Sequence, residues 1–189
     1  MPLSPPVGRR RLSRVVGPMI RIALPLAGIT LLFSVCALVC VAVIGLTIPL
    51  WALFSLQALV MLSIALPIRA VRKRSVQVIA RSVPGRATVL LSIAAVIGAA
   101  FFATNLTRGT PALSPMGESV HSFSANEVSG ECRVSYNDAH SVVEPMTVCR
   151  RFEHIVLLAF AGAWLLFSSM ALWLALGVFQ SEEVLPHGG

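Results

Sequence analysis

The chain is 189 residues long, 56% apolar and only 12% charged, with a mean hydropathy of +0.83 and a formal net charge of +7. Soluble globular domains carry about a quarter charged residues, so this composition excludes an ordinary soluble domain. The positive charge sits in blocks that bracket apolar runs, which argues for a membrane protein and against nucleic acid as a partner.

Residues 1–22 form a basic N-terminus with Arg9, Arg10, Arg11, Arg14 and Arg21 and no acid. From Ile22 to Ile68 the chain then runs 47 residues without a charged side chain. As one helix that run would extend about 70 Å, against a hydrocarbon core of ~30 Å. It therefore reads as two spans, 23–45 and 49–68, folded at Gly45-Leu46-Thr47-Ile48-Pro49. The apolar run is far too long for the 7–15-residue core of a signal peptide. Ala37-Leu38-Val39-Cys40 also has Val where a lipoprotein signal needs a small residue, so a retained anchor is expected. Cys36 and Cys40 share one face of the first span and read as small apolar packing residues.

The loop 69–86 holds Arg69, Arg72, Lys73, Arg74, Arg81 and Arg86, again without an acid. Its first reading is the ordinary topology signal of a multi-span protein. Its second is attraction to an anionic leaflet, at about 1 kcal/mol per charge. Phosphorylation at Ser75 or Ser82 would oppose that attraction.

A third span is expected at 87–103. Ala95, Ala99 and Ala103 recur there at i, i+4, with Ala94 and Gly98 beside them, and small residues at this spacing let helices approach closely. They are assigned to internal packing first and to self-association second. Asn105-Leu106-Thr107 matches the N-glycosylation pattern, but it abuts the span, so Asn105 is expected to stay unmodified.

Residues 104–154 carry Arg108, Arg133, Arg150 and Arg151 against six acids. Thr110-Pro111-Ala112-Leu113-Ser114-Pro115 breaks any helix, and the stretch before Cys132 reads as extended or flexible. Cys132 and Cys149 are expected to pair in an oxidising exterior, with two free thiols as the alternative. Closing such a ring restricts the unfolded loop by roughly 3 kcal/mol. Ser135-Tyr136-Asn137-Asp138 reads as a polar turn within it. The fourth span, 155–179, shows a ridge of Phe160, Trp164 and Phe167 beside a narrow groove at Ala159 and Ala163; a cytoplasmic tail, 180–189, follows.

Eleven of the fifteen basic residues thus precede the first span or separate the second from the third. Basic flanks stay on the cytoplasmic side, so both termini and the 69–86 loop are placed inside and the 104–154 loop outside. The fold expected is an all-α integral membrane protein, a bundle of four transmembrane helices in a plasma membrane or endomembrane.

The spans contain no ionisable residue, the usual mark of a transport pathway or cofactor site. Gln57 is their most polar residue and reads as an interhelical hydrogen-bond donor. The histidines, 121, 140, 154 and 187, lie outside the spans, and no phosphate loop, nucleophile elbow or zinc-protease motif occurs. Glu153 and His154 are neighbours at a bilayer face, but adjacent helical residues point about 100° apart and do not converge on one proton. The halves show no internal repeat, so an inverted-repeat transporter gains no support. No enzyme activity, metal or cofactor is expected.

Cys149-Arg150-Arg151-Phe152-Glu153-His154 leads directly into a helix rich in Ala, Phe and Trp, with Phe160, Trp164 and Trp173. Together with four spans, a negligible first outer connection and a longer second one with two Cys, this resembles the MARVEL-type tetraspan membrane proteins. The tetraspanin Cys-Cys-Gly signature is missing. The resemblance implies membrane organisation, in vesicles or microdomains. The function expected is accordingly non-enzymatic scaffolding through helix packing and a disulfide-closed loop. The alternative is an accessory subunit of a transporter or membrane-enzyme complex, or a small transporter. Partners are the lipid bilayer and a second copy or another membrane protein.

Overall fold

Backbone that enters hydrocarbon must close its hydrogen bonds within itself, and a helix does so at every residue. The structure, a computed structural model, describes residues 8–45, 48–71, 76–109, 120–126, 128–136 and 140–183. It is mostly helical, and four of its helices are long and apolar enough to cross a membrane: Arg21–Ile44, Trp51–Arg69, Gly85–Leu106 and Met146–Ser181. Each overlaps one of the expected spans.

Helix α1, Gly8–Val39, continues as a π-helical stretch, Cys40–Ile44. Gly45 stops it: at φ 69° it takes the left-handed conformation that glycine adopts without a Cβ penalty, and its N–H bonds the Cys40 carbonyl. Pro49 opens α2, Leu50–Val71, by accepting the N–H groups of Ala52 and Leu53. The fold expected at Gly45-Leu46-Thr47-Ile48-Pro49 includes Leu46 and Thr47, which lie outside the described residues. A short helix α3, Val76–Ser82, forms within the 69–86 loop, and α4 runs Gly85–Gly109. The long α5, Met146–Glu183, completes the set. Both α4 and α5 overrun the uncharged stretches that marked their spans. Hydropathy locates where a helix meets hydrocarbon, whereas helix ends are set by caps and hydrogen bonds.

The all-α expectation is corrected at one place. Residues 120–145 hold a three-stranded antiparallel sheet, β1 Val120–Asn126, β2 Glu131–Tyr136 and β3 His140–Pro145, in that order. The stretch before Cys132, read as extended or flexible, is thus in part a paired strand; Thr110–Pro115 lies outside the described residues. A period-two alternation carries the sheet: Cys132 and Val134 point inward and are fully buried, while Glu131 and Arg133 are exposed. Asn126 caps the β1–β2 turn through its side-chain oxygen, which accepts the N–H of Val128 at 3.1 Å, and Gly130 supplies a positive φ of 70°.

Helix α5 is the centre of the fold, in contact with α1, α2, α3 and α4, while α1 and α2 also touch each other. Its Ala161, Trp164 and Leu165 form a core with Leu38 of α1 and Val60 of α2, flanked by Ala94 and Phe101 of α4. A second cluster joins Ala27 of α1 to Ala171 and Ala175 of α5. The buried stripe of α1 and its π-helical continuation is Ala23, Ala27, Thr30, Ser34, Leu38 and Val41, spaced by three and four. Its buried hydroxyls are satisfied along the helix itself: Thr30 donates to the Leu26 carbonyl and Ser34 to that of Thr30. Large apolar side chains cover the outside, among them Leu32, Phe33, Trp51, Phe54, Leu90 and Val96, each more than half exposed.

Candidate functional site

With every helix apolar, the places where backbones come closest carry the most structural information. Among the described glycines, the tightest backbone-to-backbone approach joins α4 to α5 at Gly98 and Gly162. A Cβ added to Gly98 would lie 2.6 Å from the Gly162 carbonyl oxygen and 2.6 Å from the Leu166 nitrogen. A Cβ added to Gly162 would lie 2.6 Å from the Phe102 nitrogen. Only hydrogen fits at either position. The three alanines expected to form the packing face surround this point unevenly. Ala95 and Ala99 are half-buried, and Ala103 is exposed. The face that meets α5 runs instead through Leu91, Gly98 and Phe101, roughly a third of a turn away.

On α5, the sequence grouped Phe160, Trp164 and Phe167 as one ridge. The Phe160 and Trp164 rings do meet, with centroids 6.1 Å apart. Only Trp164 is buried, however, and Phe160 and Phe167 stay about two-fifths exposed. Ala159 is buried and Ala163 half-buried. Trp164 donates its indole N–H to the Gln57 side-chain oxygen of α2 at 2.7 Å. Gln57 is therefore an interhelical bond partner as expected, but this bond uses it as the acceptor, because an indole nitrogen can only donate. A second indole bond, Trp173 to the Thr88 hydroxyl at 3.3 Å, ties α5 to α4.

The two ends of α5 are held differently. At the sheet end, Cys132 of β2 and Cys149 of α5 meet at disulfide distance, with Sγ–Sγ 2.07 Å and Cα–Cα 5.6 Å. Val134 and Phe152 bury beside them, and Met146 and Val148 pack against the cluster. The resulting small core fixes the sheet on the first turns of α5. At the opposite end, α3 lies against Gly177. A Cβ there would sit 2.5 Å from Ile79 Cγ2 and 2.9 Å from the Ile79 carbonyl. Ser82 donates to the Gly177 carbonyl at 3.2 Å, and Ile79 and Val83 are buried at the contact. The 69–86 loop is thus partly a docked helix, a feature its basic composition concealed. Gln77, Ala80 and Arg81 face outward from it. Ser75 lies outside the described residues.

The remaining candidates are placed as follows. Asn105 lies inside α4, half-buried, with its side-chain nitrogen donating to the Phe101 carbonyl at 2.8 Å. Cys36 is exposed and Cys40 half-buried on α1, both as free thiols. Glu153 is exposed and His154 half-buried on α5. Among the described residues no group of three His, Cys, Asp or Glu is arranged to hold a metal ion.

Comparison with known proteins finds no matching family model, no matching curated protein and no matching solved structure.

Proposed function

We propose that the chain is an integral membrane protein with four spans and both termini in the cytoplasm, acting as a non-enzymatic organiser of the membrane. The carrying observation is how polarity is distributed. The outward faces of α1, α2 and α4 are large and apolar, and the buried hydroxyls at Thr30, Ser34, Ser63, Ser168 and Ser169 are all bonded to carbonyls of their own helices. Such a molecule offers lipid and neighbouring helices a surface to pack on. The MARVEL-type resemblance of the sequence points the same way. In this reading α5 is the axis of a four-helix bundle, and a disulfide between Cys132 and Cys149 fixes an extracytoplasmic sheet above it. Ala95 and Ala99, at the edge of the α4–α5 contact, belong to internal packing.

Two experiments test this. Epitopes at Arg11 and Gly189 should be reached only from the cytoplasm and one near Ser124 only from outside; a Gly189 epitope reached from outside would refute an even number of spans. Gentle-detergent purification should recover the protein with itself or with substoichiometric partners and lipid. A fixed-stoichiometry complex with a transporter or membrane enzyme would replace the organising role with that of an accessory subunit.

A further inference from the structure

Gln57 uses only part of its amide within the chain. Its side-chain oxygen accepts the Trp164 indole N–H at 2.7 Å, while among the described residues its side-chain nitrogen meets no acceptor. None of the buried side-chain nitrogens or oxygens among these residues lacks a partner, so the Gln57 nitrogen reaches the outer surface. A primary amide has two N–H donors and an oxygen with two lone pairs, which leaves Gln57 both donors and one lone pair to spare. We infer that α2 is the surface on which two copies of the chain pair side by side, the Gln57 nitrogen of each donating to the Gln57 oxygen of the other. This rests on the membrane reading above.

The depth of the residue makes the spare donors matter. The apolar part of α2 runs from Trp51 to Arg69. Gln57 stands about 9 Å along the helix from Trp51 and about 18 Å from Arg69. In a ~30 Å core the amide therefore lies within hydrocarbon, where lipid tails offer no acceptor. A second copy supplies one at the right level. All copies insert in the same orientation, and a twofold axis along the membrane normal sets their Gln57 side chains at equal depth. Two reciprocal bonds then form, and each oxygen keeps its bond from Trp164. A different membrane protein would have to present its own acceptor at that depth.

The surface beside Gln57 has the pattern such a pair uses. Phe54, Ala58, Met61, Ala65 and Ile68 are all exposed, at alternating spacings of four and three. That is the heptad seam along which two helices pack at a shallow left-handed crossing. Gln57 borders the seam, about one turn from Phe54 on one side and from Met61 on the other. Small side chains at Ala58 and Ala65 let the two backbones come close, and Phe54, Met61 and Ile68 supply the packing contacts on either side. The opposite face of α2 is already occupied, with Val60 fully buried in the core around Trp164. A helix that joins α2 from outside thus meets the Gln57 edge.

The test uses the full chain with a donor or an acceptor fluorescent protein fused after Gly189, reconstituted in phosphatidylcholine vesicles. Energy transfer followed as the protein is diluted with lipid gives the dissociation constant of the dimer. Gln57→Leu should raise that constant about tenfold, the loss expected for two intramembrane hydrogen bonds. Ala58→Ile, a change on the exposed face that leaves the bond from Trp164 in place, should weaken pairing as well. Trp164→Phe removes the internal bond but keeps the amide, and should change the constant by less than about twofold. A protein that inserts and stays monomeric at every dilution overturns the inference, with the spare donors left to water, and leaves the membrane reading intact. So does a dimer that Gln57→Leu or Ala58→Ile leaves as tight as before. Equal loss of pairing in Trp164→Phe and Gln57→Leu also overturns it, because the amide would then act through the fold. Failure of the protein to float with the vesicles would refute the membrane reading itself.

Discussion

Glycine-to-alanine changes at two helical positions should have opposite signs, and the structure explains why. In water, alanine is favoured over glycine inside a helix by about 0.8–1 kcal/mol, so helix propensity alone predicts stabilisation at both. At Gly28 of α1 a Cβ would meet nothing within 4 Å, and propensity decides the outcome. At Gly98 the same Cβ would lie 2.6 Å from two backbone atoms of α5, where ordinary contact begins near 3.4 Å. Backbone of a packed helix cannot rotate aside as a side chain can, so α4 and α5 must separate by close to 1 Å. A gap of that size forfeits about a quarter to a half of each affected dispersion contact. Helix α4 finds its main helix contacts on α5, so among the described residues no comparable interface takes up the loss. Overpacking of this kind costs about 1–3 kcal/mol, which exceeds the propensity gain. Reversible unfolding in mixed detergent and SDS micelles, read by far-UV circular dichroism, would measure both variants. Gly98→Ala should lower stability by about 1–2 kcal/mol net, and Gly28→Ala should be neutral or slightly stabilising. The pair Gly98→Ala, Gly162→Ala should cost less than the sum of the two single changes, because both relieve the same crossing. Equal effects at Gly28 and Gly98 would refute the close approach of α4 to α5.

Gln57→Leu leaves the buried Trp164 indole N–H without its acceptor and should destabilise by about 1 kcal/mol in the same assay. Adding Trp164→Phe should recover part of that loss, and full additivity of the two changes would show that the bond contributes nothing. Non-reducing mass spectrometry should recover the Cys132 and Cys149 peptides linked, with Cys36 and Cys40 alkylated; alkylation of all four would end the disulfide assignment. Expressed in a glycosylating host, the protein and its Asn105→Gln variant should migrate identically on electrophoresis, because Asn105 sits inside α4 with its amide nitrogen engaged at the Phe101 carbonyl. A mobility shift on mutation would contradict that placement.

Some features of this chain are local and additive, and these were legible in the sequence. A bilayer demands roughly twenty uncharged residues per crossing, so the runs at 22–68, 87–106 and 155–180 mark four apolar helices with no knowledge of their neighbours. The turn at Gly45 and Pro49 follows from the backbone preferences of two residues. The partnership of Cys132 and Cys149 was suggested by the expected compartment, and their geometry is now consistent with it. The sheet, too, has a local signal, the alternation from Glu131 to Ser135 with Asn126 and Gly130 ahead of it. What only the tertiary structure decided is which face of each helix packs. An amphipathic helix in a soluble protein shows its buried side as an apolar stripe, but these helices are apolar all round, and lipid tails are as apolar as leucine. Hydrophobic periodicity then carries little contrast, and the choice among faces depends on how closely two backbones can approach. That is why Ala95, Ala99 and Ala103 looked like the packing face of α4 when the contact centres on Gly98. It is also why the central place of α5, and the docking of α3 against Gly177, became visible only once the helices were set side by side.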